Sequence, residues 1–208
     1  MIKNYDDIVE SILLSKPFAF TRWGDGEWLN IAKAPGGNCD GNLYYHDLGE
    51  ALEEIVSTKQ EYVIGAQDLA HNLPSSVHKY PQQDWIDADI FHKASIGGRM
   101  YLLAEALEDE HVVYIGNKDL KELPFINEFI EIPSSNVWRW KDELLGKVES
   151  TIEKDTHKLY LFSAGMATNV FIDELWKLDS TQTYIDVGSV FDPYVGKHTR
   201  SYHKHLKL

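Results

Sequence analysis

The sequence contains a single cysteine, Cys39, among its 208 residues. One thiol can form neither an intramolecular disulfide nor a cysteine-based zinc cluster. No activating group stands near Cys39 in the sequence, so we expect an unreactive structural residue. The nine histidines show no HExxH or comparable ligand spacing, and the sequence therefore predicts no zinc site.

Long apolar runs are also missing. No run approaches the roughly 20 residues of a membrane-spanning helix, and the first residues, MIKNYDDIVESILL, carry acids where a signal peptide would be basic. We therefore expect a cytoplasmic protein without a membrane span. The chain shows no repeat, low-complexity segment or convincing linker, and its length suits one buried core, so we expect a single domain over residues 1–208.

Basic residues are scarce, because 20 Lys and Arg stand against 33 Asp and Glu and the formal net charge is −13. This charge repels phosphate backbones and disfavours general nucleic-acid binding. The segment from about residue 196, GKHTRSYHKHLKL, is nevertheless basic, rich in histidine and free of acids. We interpret it either as a solvated tail or as a clamp for an anionic ligand, to which Arg200 would contribute.

Short apolar segments alternate with helical periodicity along the chain. Helices are predicted over residues 5–15, 46–58 and 138–153, and in SIGGRMYLLAEALED and MATNVFIDELWKL. Strands are predicted in FAF, EYVIGAQD, HVVYIGN, NEFIEIP, KLYLFSAG and TQTYIDVGS. This alternation predicts a Rossmann-like α/β fold, with a mainly parallel sheet and helices on both faces. Ligands of such folds bind at the carboxyl ends of the strands.

Two carboxylates follow the first predicted strand within the segment FTRWGDGEW. Gly24 and Gly26 permit a tight turn in which Asp25 and Glu27 both face a divalent cation, Mn²⁺ or Mg²⁺. The cation would bridge the carboxylates to ligand phosphates, and Arg22 could contact the same anion. The alternative is an ordinary Asp-Gly turn with solvated acids.

The segment SAGMAT lies between a predicted strand and a predicted helix. Its small residues would allow backbone N–H groups to approach a phosphate, with hydroxyl donors from Ser163 and Thr168 beside Gly165. A plain strand-to-helix turn explains the same residues.

The last predicted strand runs into IDVGSVFDPY. Asp186 at its end could contact a ligand, while Gly188 and Ser189 turn the chain away and Asp192 precedes a proline. The alternative for Asp186 is a carboxylate that orders the loop by hydrogen bonds.

Three further polar residues follow strands or begin helices. Gln67 and Asn117 follow two of the predicted strands, where they could recognise polar ligand edges or cap the next segment. Arg99 stands near the start of a predicted helix, where a cation gains nothing from the helix dipole, which favours an anion as its partner.

Four segments together resemble the bacterial family, formerly a domain of unknown function, that defines the GT-D glycosyltransferase fold. They are RWGDGEW, with the D-x-E element, GGRMY, LFSAGMATNVFIDEL and IDVGSVFDPY, and they occur in order across residues 18–196. The resemblance implies a nucleotide-sugar-dependent glycosyltransferase with a Rossmann-like fold, a divalent metal carried by Asp25 and Glu27, and a UDP-sugar donor.

In this interpretation the cation and Arg22, with Arg99 or Arg200, would stabilise the charge that develops on the leaving diphosphate. An inverting reaction would need a base, for which Asp186 and Asp192 are candidates, whereas a retaining one would not. The acceptor would be a glycan, a protein-linked sugar or another hydroxyl compound. Two alternatives are a glycosyltransferase for a modified DNA base, which the net charge disfavours, and a non-catalytic nucleotide-binding module. The sequence leaves the sugar, the acceptor and a homo-oligomeric state open.

Overall fold

The computed structural model of the chain describes residues 2–38, 40–67, 79–200 and 203. Cys39 and most of the basic tail beyond Arg200 lie outside this range, so the predictions made for them are not addressed by the structure. Within the range, no helix is long and apolar enough to cross a membrane.

Seven strands form one sheet in which every pair of neighbours is parallel. The strand order is β3-β2-β1-β7-β6-β4-β5. The strands are β1 (Ala19–Trp23), β2 (Val63–Ala66), β3 (Ile86–Asp87), β4 (Val112–Gly116), β5 (Glu128–Glu131), β6 (Leu159–Phe162) and β7 (Thr183–Asp186). The predicted parallel α/β architecture is confirmed. Because the last strand inserts between β1 and β6, it brings two distant parts of the chain to neighbouring positions in the sheet.

The helices connect the strands and cover both faces of the sheet. Those in the described residues are α1 (Tyr5–Leu13), α2 (Asp25–Ile31), α3 (His46–Ser57), α4 (Ile90–Ile96), α5 (Met100–Glu108), α6 (Lys141–Glu149) and α7 (Ala167–Leu178). One hydrophobic cluster packs α1, α4 and α5 against one face, and a second packs α6 and α7 against the other. A third cluster joins α2, α3 and α7 around two tryptophans, Trp23 and Trp28.

Local sequence explains where α1 begins and how the central strands pack. Asn4 caps α1, because its side chain accepts the N–H of Asp7 while the carboxylate of Asp7 accepts the N–H of Asn4. All residues of β4 and β6 are buried, as expected for central strands of a sheet that is covered on both faces. Successive residues of β4 therefore belong to opposite cores, with Tyr114 on one face and Val113 on the other.

Two helix predictions need correction. The helix predicted over SIGGRMYLLAEALED is interrupted, because α4 ends at Ile96 and Gly98 adopts a positive φ of 67° before α5 begins at Met100. The helix predicted over residues 138–153 is α-helical only over Lys141–Glu149, after a 3-10 turn over Val137–Trp140. No element was predicted for the residues that form β3 or for residues 90–94, which form most of α4, because apolar periodicity is weak there.

Candidate functional site

The Asp25–Glu27 segment is the first turn of α2, so the predicted glycine turn is wrong. Gly24 is the extended N-cap residue with φ −113°, and Asp25 is the first helical residue. The carboxylate of Glu27 folds back and accepts the N–H of Gly24 at 2.8 Å. Acids in a first turn satisfy free N–H groups and interact favourably with the helix dipole. The two acids therefore have a role in starting the helix that needs no metal.

The two carboxylates differ in environment. Asp25 is exposed, whereas Glu27 is half-buried. Burial and, to a smaller extent, the nearby charge of Asp186 raise the pKa of Glu27 to about 7, against the opposing effects of the N–H of Gly24 and the charge of Arg22. Glu27 is therefore electrostatically coupled to the residues at the ends of β1 and β7.

Arg22 and Asp186 form an ion pair at the centre of the sheet. The Nη2 of Arg22, from β1, lies 3.1 Å from Oδ1 of Asp186 at the end of β7, and both side chains are largely shielded from solvent. The same Oδ1 accepts the N–H of Gly188 at 3.0 Å. Burial raises the pKa of Asp186, and the guanidinium of Arg22 opposes that shift. The pairing follows from the sheet order, since β1 and β7 are neighbours.

Gly188 makes room for the guanidinium of Arg22. Its φ is +54°, which disfavours residues with a Cβ, and a Cβ there would lie only 1.9 Å from Nη2 of Arg22. Glycine is therefore required at this position for two reasons: the positive φ of the turn after β7, and the space that the guanidinium of Arg22 occupies.

A hydroxyl chain connects β4 to the same loop. Ser163, at the end of β6, lies 2.6 Å from the hydroxyl of Tyr114 and 2.5 Å from the carbonyl oxygen of Gly188. Because that oxygen can only accept, Ser163 donates to it and Tyr114 donates to Ser163. Burial raises the pKa of Tyr114 above its usual range, which keeps this donor protonated. Tyr114 was not predicted, since it stands within an apolar strand and carries no local signal of function.

The turn between β6 and α7 has the compact form that was expected. Gly165 adopts a φ of +63°, and its carbonyl accepts the N–H of Thr168 at 3.0 Å. The hydroxyl of Thr168 is fully buried and has no hydrogen-bond partner among the described residues. It therefore retains hydrogen-bonding capacity next to the start of a helix.

Gln67, Ser189 and Asp192 also lie around the carboxyl ends of the strands. The side chain of Gln67 packs against Gly24, because a Cβ on that glycine would lie 2.7 Å from its Oε1. The carbonyl of Ser189 accepts the N–H of Asp192 at 3.1 Å, and the carboxylate of Asp192 accepts the hydroxyl of Thr199. Burial raises the pKa of Asp192, and the hydrogen bond from Thr199 and the cations of the C-terminal segment oppose the shift.

The remaining predicted residues are engaged elsewhere. The Nη2 of Arg99 lies 2.5 Å from a carboxylate oxygen of Asp6, and its guanidinium stacks on the ring of Tyr5 in α1. The side chain of Asn117 accepts the N–H of Asp119 and caps a 3-10 turn, which is the structural alternative given for it. Arg200 forms two hydrogen bonds of 2.6 Å with the carboxylate of Asp40. A ligand role for these three residues stays a prediction.

Two residues that were not predicted lie beside the ion pair: His92 contacts Arg22, and Asp89 contacts His92. The Nε2 of His92, on α4, lies 3.4 Å from Nη1 of Arg22, and its Nδ1 lies 2.8 Å from Oδ1 of Asp89. The only local signal is an aspartate three residues before a histidine, which is too common to identify a site.

The two carboxylates at the start of α2 are the type of ligand that a hard divalent cation prefers when a substrate phosphate supplies its remaining ligands. Among the described residues no group of three or more His, Cys, Asp or Glu side chains is arranged to hold a metal. Mg²⁺ typically uses one or two carboxylates together with substrate phosphates and water. Asp25 and Glu27 can supply that number of carboxylates, but not a complete protein cage.

Comparison with solved structures identifies the fold. No protein-family model matches the chain, and no curated protein matches it significantly. A structure described as a new glycosyltransferase (DUF1792) from Streptococcus sanguinis superposes with a TM-score of 0.69 and 17% identity, over 93% of this chain and 84% of that one. A second, described as domain of unknown function 1792 with a distinct glycosyltransferase fold, superposes with a TM-score of 0.68 and 16% identity, over 100% and 91%. The chain therefore has the glycosyltransferase fold of the DUF1792 structures, as the sequence resemblance predicted.

Proposed function

We propose that the chain is a metal-dependent glycosyltransferase that moves a sugar from a nucleotide diphosphate sugar to a hydroxyl acceptor. The fold supports the enzyme class, because one solved structure that shares it is described as a glycosyltransferase and another as having a glycosyltransferase fold. The observation that carries the proposal is the clustering of Arg22, Asp186 and Glu27 where β1 and β7 end, since ligands of such sheets bind at that edge.

Asp25 and Glu27 would hold Mn²⁺ or Mg²⁺ together with the donor diphosphate. When bound, the cation would supply positive charge to the leaving phosphate oxygens. A cation would suit the half-buried Glu27, because burial and the charge of Asp186 raise the pKa of this carboxyl and a positive charge beside it would favour its ionised form. Asp25 is exposed and can turn toward a ligand.

Arg22 would bind the diphosphate and stabilise the charge that builds up as the glycosidic bond breaks. Its planar guanidinium is suited to phosphate oxygens, and Asp186 fixes it in a largely desolvated position where such an interaction is strong. Backbone N–H groups of the turn around Gly165 would complete the phosphate contacts, because the hydroxyl of Ser163 already donates to Gly188 and the hydroxyl of Thr168 is fully buried.

For an inverting reaction we propose Asp192 as the base that accepts the proton of the acceptor hydroxyl. Asp186 is the weaker candidate, because its Oδ1 is already bound to Arg22 and Gly188. Asp192 is half-buried and has a raised pKa, which brings a carboxylate closer to the basicity that proton transfer at neutral pH requires.

The donor we propose is a UDP-sugar. This choice rests on the resemblance of the four sequence segments to the GT-D family. The glycan, protein-linked or other nature of the acceptor follows from the class of reaction alone.

Release of nucleotide diphosphate from a panel of UDP-, GDP- and dTDP-sugars, with and without Mn²⁺, tests the proposal. We expect metal-dependent release from one nucleotide class, lost in both Asp25→Ala and Glu27→Ala. A matched control is Glu108→Ala, which removes an acid from the last turn of α5, and it should leave release unchanged. Nucleotide binding without turnover in the presence of acceptors would instead identify a binding module, and release that is indifferent to metal and to both substitutions would contradict the metal site.

A further inference from the structure

The guanidinium of Arg22 is held on more than one side. Asp186 binds Nη2 at 3.1 Å, Gly188 lies against the same nitrogen, and His92 contacts Nη1 at 3.4 Å. Two partners on different nitrogens define the plane of a guanidinium. A single partner would leave the group able to rotate about the axis of that one hydrogen bond. His92 therefore supplies orientation that Asp186 alone does not.

We propose that His92 is a positioning residue for the transferase reaction, and that Asp89 holds its ring in the state that this task requires. The inference rests on the proposed function, because Arg22 is the group that would meet the donor diphosphate. His92 would act through Arg22 and would not itself touch the substrate.

The hydrogen bond between His92 and Asp89 determines which ring nitrogen of His92 is directed at Arg22. The Nδ1 of His92 lies 2.8 Å from Oδ1 of Asp89, so Nδ1 carries the hydrogen that this carboxylate accepts. In the neutral ring Nε2 is then a lone-pair acceptor directed at an N–H of Arg22. A carboxylate that selects a histidine tautomer in this way is a common device for orienting a functional group.

The contacts that hold His92 extend from Arg22 in the central strand β1 to β3 at the edge of the sheet. Asp89 is itself positioned because its N–H donates to Oδ1 of Asp87 at 2.8 Å, and Asp87 is the last residue of β3. The side chains of His92 and Asp89 are each 21% exposed, so neither belongs to the hydrophobic core that holds α4 in place. The polar contacts form a series in which Asp87 binds Asp89, Asp89 binds His92 and His92 contacts Arg22.

Three substitutions test the inference. His92→Gln can place an amide oxygen near the position of Nε2, His92→Asn can replace Nδ1 but reaches less far, and His92→Phe keeps the ring and loses both contacts. We expect kcat to fall roughly 10- to 100-fold in the Phe and Asn variants, since misplacing a reacting group can cost that much. We expect the Gln variant to retain kcat within about threefold. Because the charge of Arg22 remains, the dissociation constant for UDP with Mn²⁺, measured by calorimetry, should change by less than about threefold in all three variants.

His111→Gln and His111→Phe are the matched controls. His111 precedes β4 at the opposite end of the strands and binds a carboxylate of Glu128 at 2.7 Å, yet it has no contact with Arg22 among the described residues. Both control variants should keep the wild-type kcat. The inference is overturned if His92→Phe matches the controls, or if His92→Gln is as impaired as His92→Phe.

A spectroscopic measurement separates this inference from the proposed function. Imidazole ¹H–¹⁵N correlations, assigned through His92→Gln, should show a proton on Nδ1 of His92 and an Nε2 resonance that moves in Arg22→Lys. If the wild-type chain releases no nucleotide from any donor but these signals appear, the function is wrong and the positioning contact stands. If transfer is observed and Nδ1 carries no proton, the positioning role is wrong.

Discussion

At the scale of single residues, Gly188 and Gly196 can be compared to distinguish the cost of a positive φ from the cost of a steric clash. Gly188→Ala would introduce a Cβ 1.9 Å from Nη2 of Arg22, whereas Gly196, with a similar φ of +76°, has no atom within 4 Å of its Cβ position. Both alanines meet an unfavourable backbone conformation of about 1 kcal/mol, but only the first displaces Arg22.

We therefore expect Gly188→Ala to lower the free energy of unfolding by about 1–3 kcal/mol more than Gly196→Ala, and to abolish nucleotide release. Urea unfolding of the two variants, together with the release assay, measures the difference. Equal stability and activity in both would mean that Arg22 moves aside at no cost, and that its position is not important.

A second prediction concerns the hydrogen bonds that run from the hydroxyl of Tyr114 through Ser163 to the carbonyl of Gly188. Ser163→Ala leaves the buried hydroxyl of Tyr114 without its acceptor, which costs about 1–3 kcal/mol, whereas Tyr114→Phe removes the donor and leaves Ser163 bound to Gly188. We expect Ser163→Ala to be the more destabilising of the two.

A double-mutant cycle in chemical denaturation gives the coupling directly. We expect the double variant to be less destabilised than the sum of the single variants, because removing Tyr114 also removes the unpaired hydroxyl. Strict additivity would show that the two hydroxyls do not interact.

At the scale of elements, a buried lysine joins β6 to its surroundings at the amino ends of the strands. Nζ of Lys158 is hydrogen bonded to Glu128 of β5, to Glu153 and to the carbonyl of Thr151. The hydrogen bond from Lys158, together with a smaller effect of His111, lowers the pKa of Glu128. Burial lowers the pKa of Lys158, but the two carboxylates outweigh this effect and raise it overall.

The two shifts have opposite consequences for stability at acid and alkaline pH. Since the folded-state pKa of Glu128 is depressed, its contribution is present above the unfolded value of about 4.3 and is lost as the pH falls. Since the pKa of Lys158 is raised, its contribution is present below about 10.4 and is lost as the pH rises through the folded-state value. The cluster therefore stabilises the fold across the neutral range.

We expect Lys158→Met to reduce the free energy of unfolding by roughly 1–3 kcal/mol at pH 7 and by less at pH 3. The control is Lys147→Met, which breaks an exposed pair with Glu143 on one helix and should change stability by less than about 0.5 kcal/mol. Urea titrations at both pH values measure the effects. A loss that is equal at pH 3 and pH 7 would show that the carboxylates are not involved.

At the scale of the whole molecule, the metal site proposed at the start of α2 has only two protein carboxylates, so we expect the cation and the nucleotide to bind together. We expect Mn²⁺ alone to raise the melting temperature little, and UDP with Mn²⁺ to raise it clearly, since a ligand at 100 times its dissociation constant adds about 2.7 kcal/mol. The combined effect should be lost in Asp25→Ala. Strong stabilisation by Mn²⁺ alone, unchanged in that variant, would point to a different metal site.

The sequence predicted the strand ends at which functional side chains collect, but not all of their neighbours. Arg22, Asp186 and Gly188 were identified from their positions after apolar runs, and the structure brings them together. His92 and Tyr114 were missed, because a histidine on a short helix and a tyrosine in a buried strand look locally like ordinary structural residues. Their contacts with Arg22 and Ser163 come from packing between distant segments.

The sequence by itself determined the alternation of strands and helices, because apolar periodicity and glycine positions act over a few neighbouring residues. Only the tertiary structure decided that β7 lies beside β1, which pairs Arg22 with a carboxylate 164 residues away. It also decided that Asp25 and Glu27 begin a helix instead of lining a turn. Strand order depends on pairing between distant segments, which no short window of sequence contains. The residues around Asp25 are compatible with either a turn or a helix start, and the packing of α2 with α3 and α7 favours the helix.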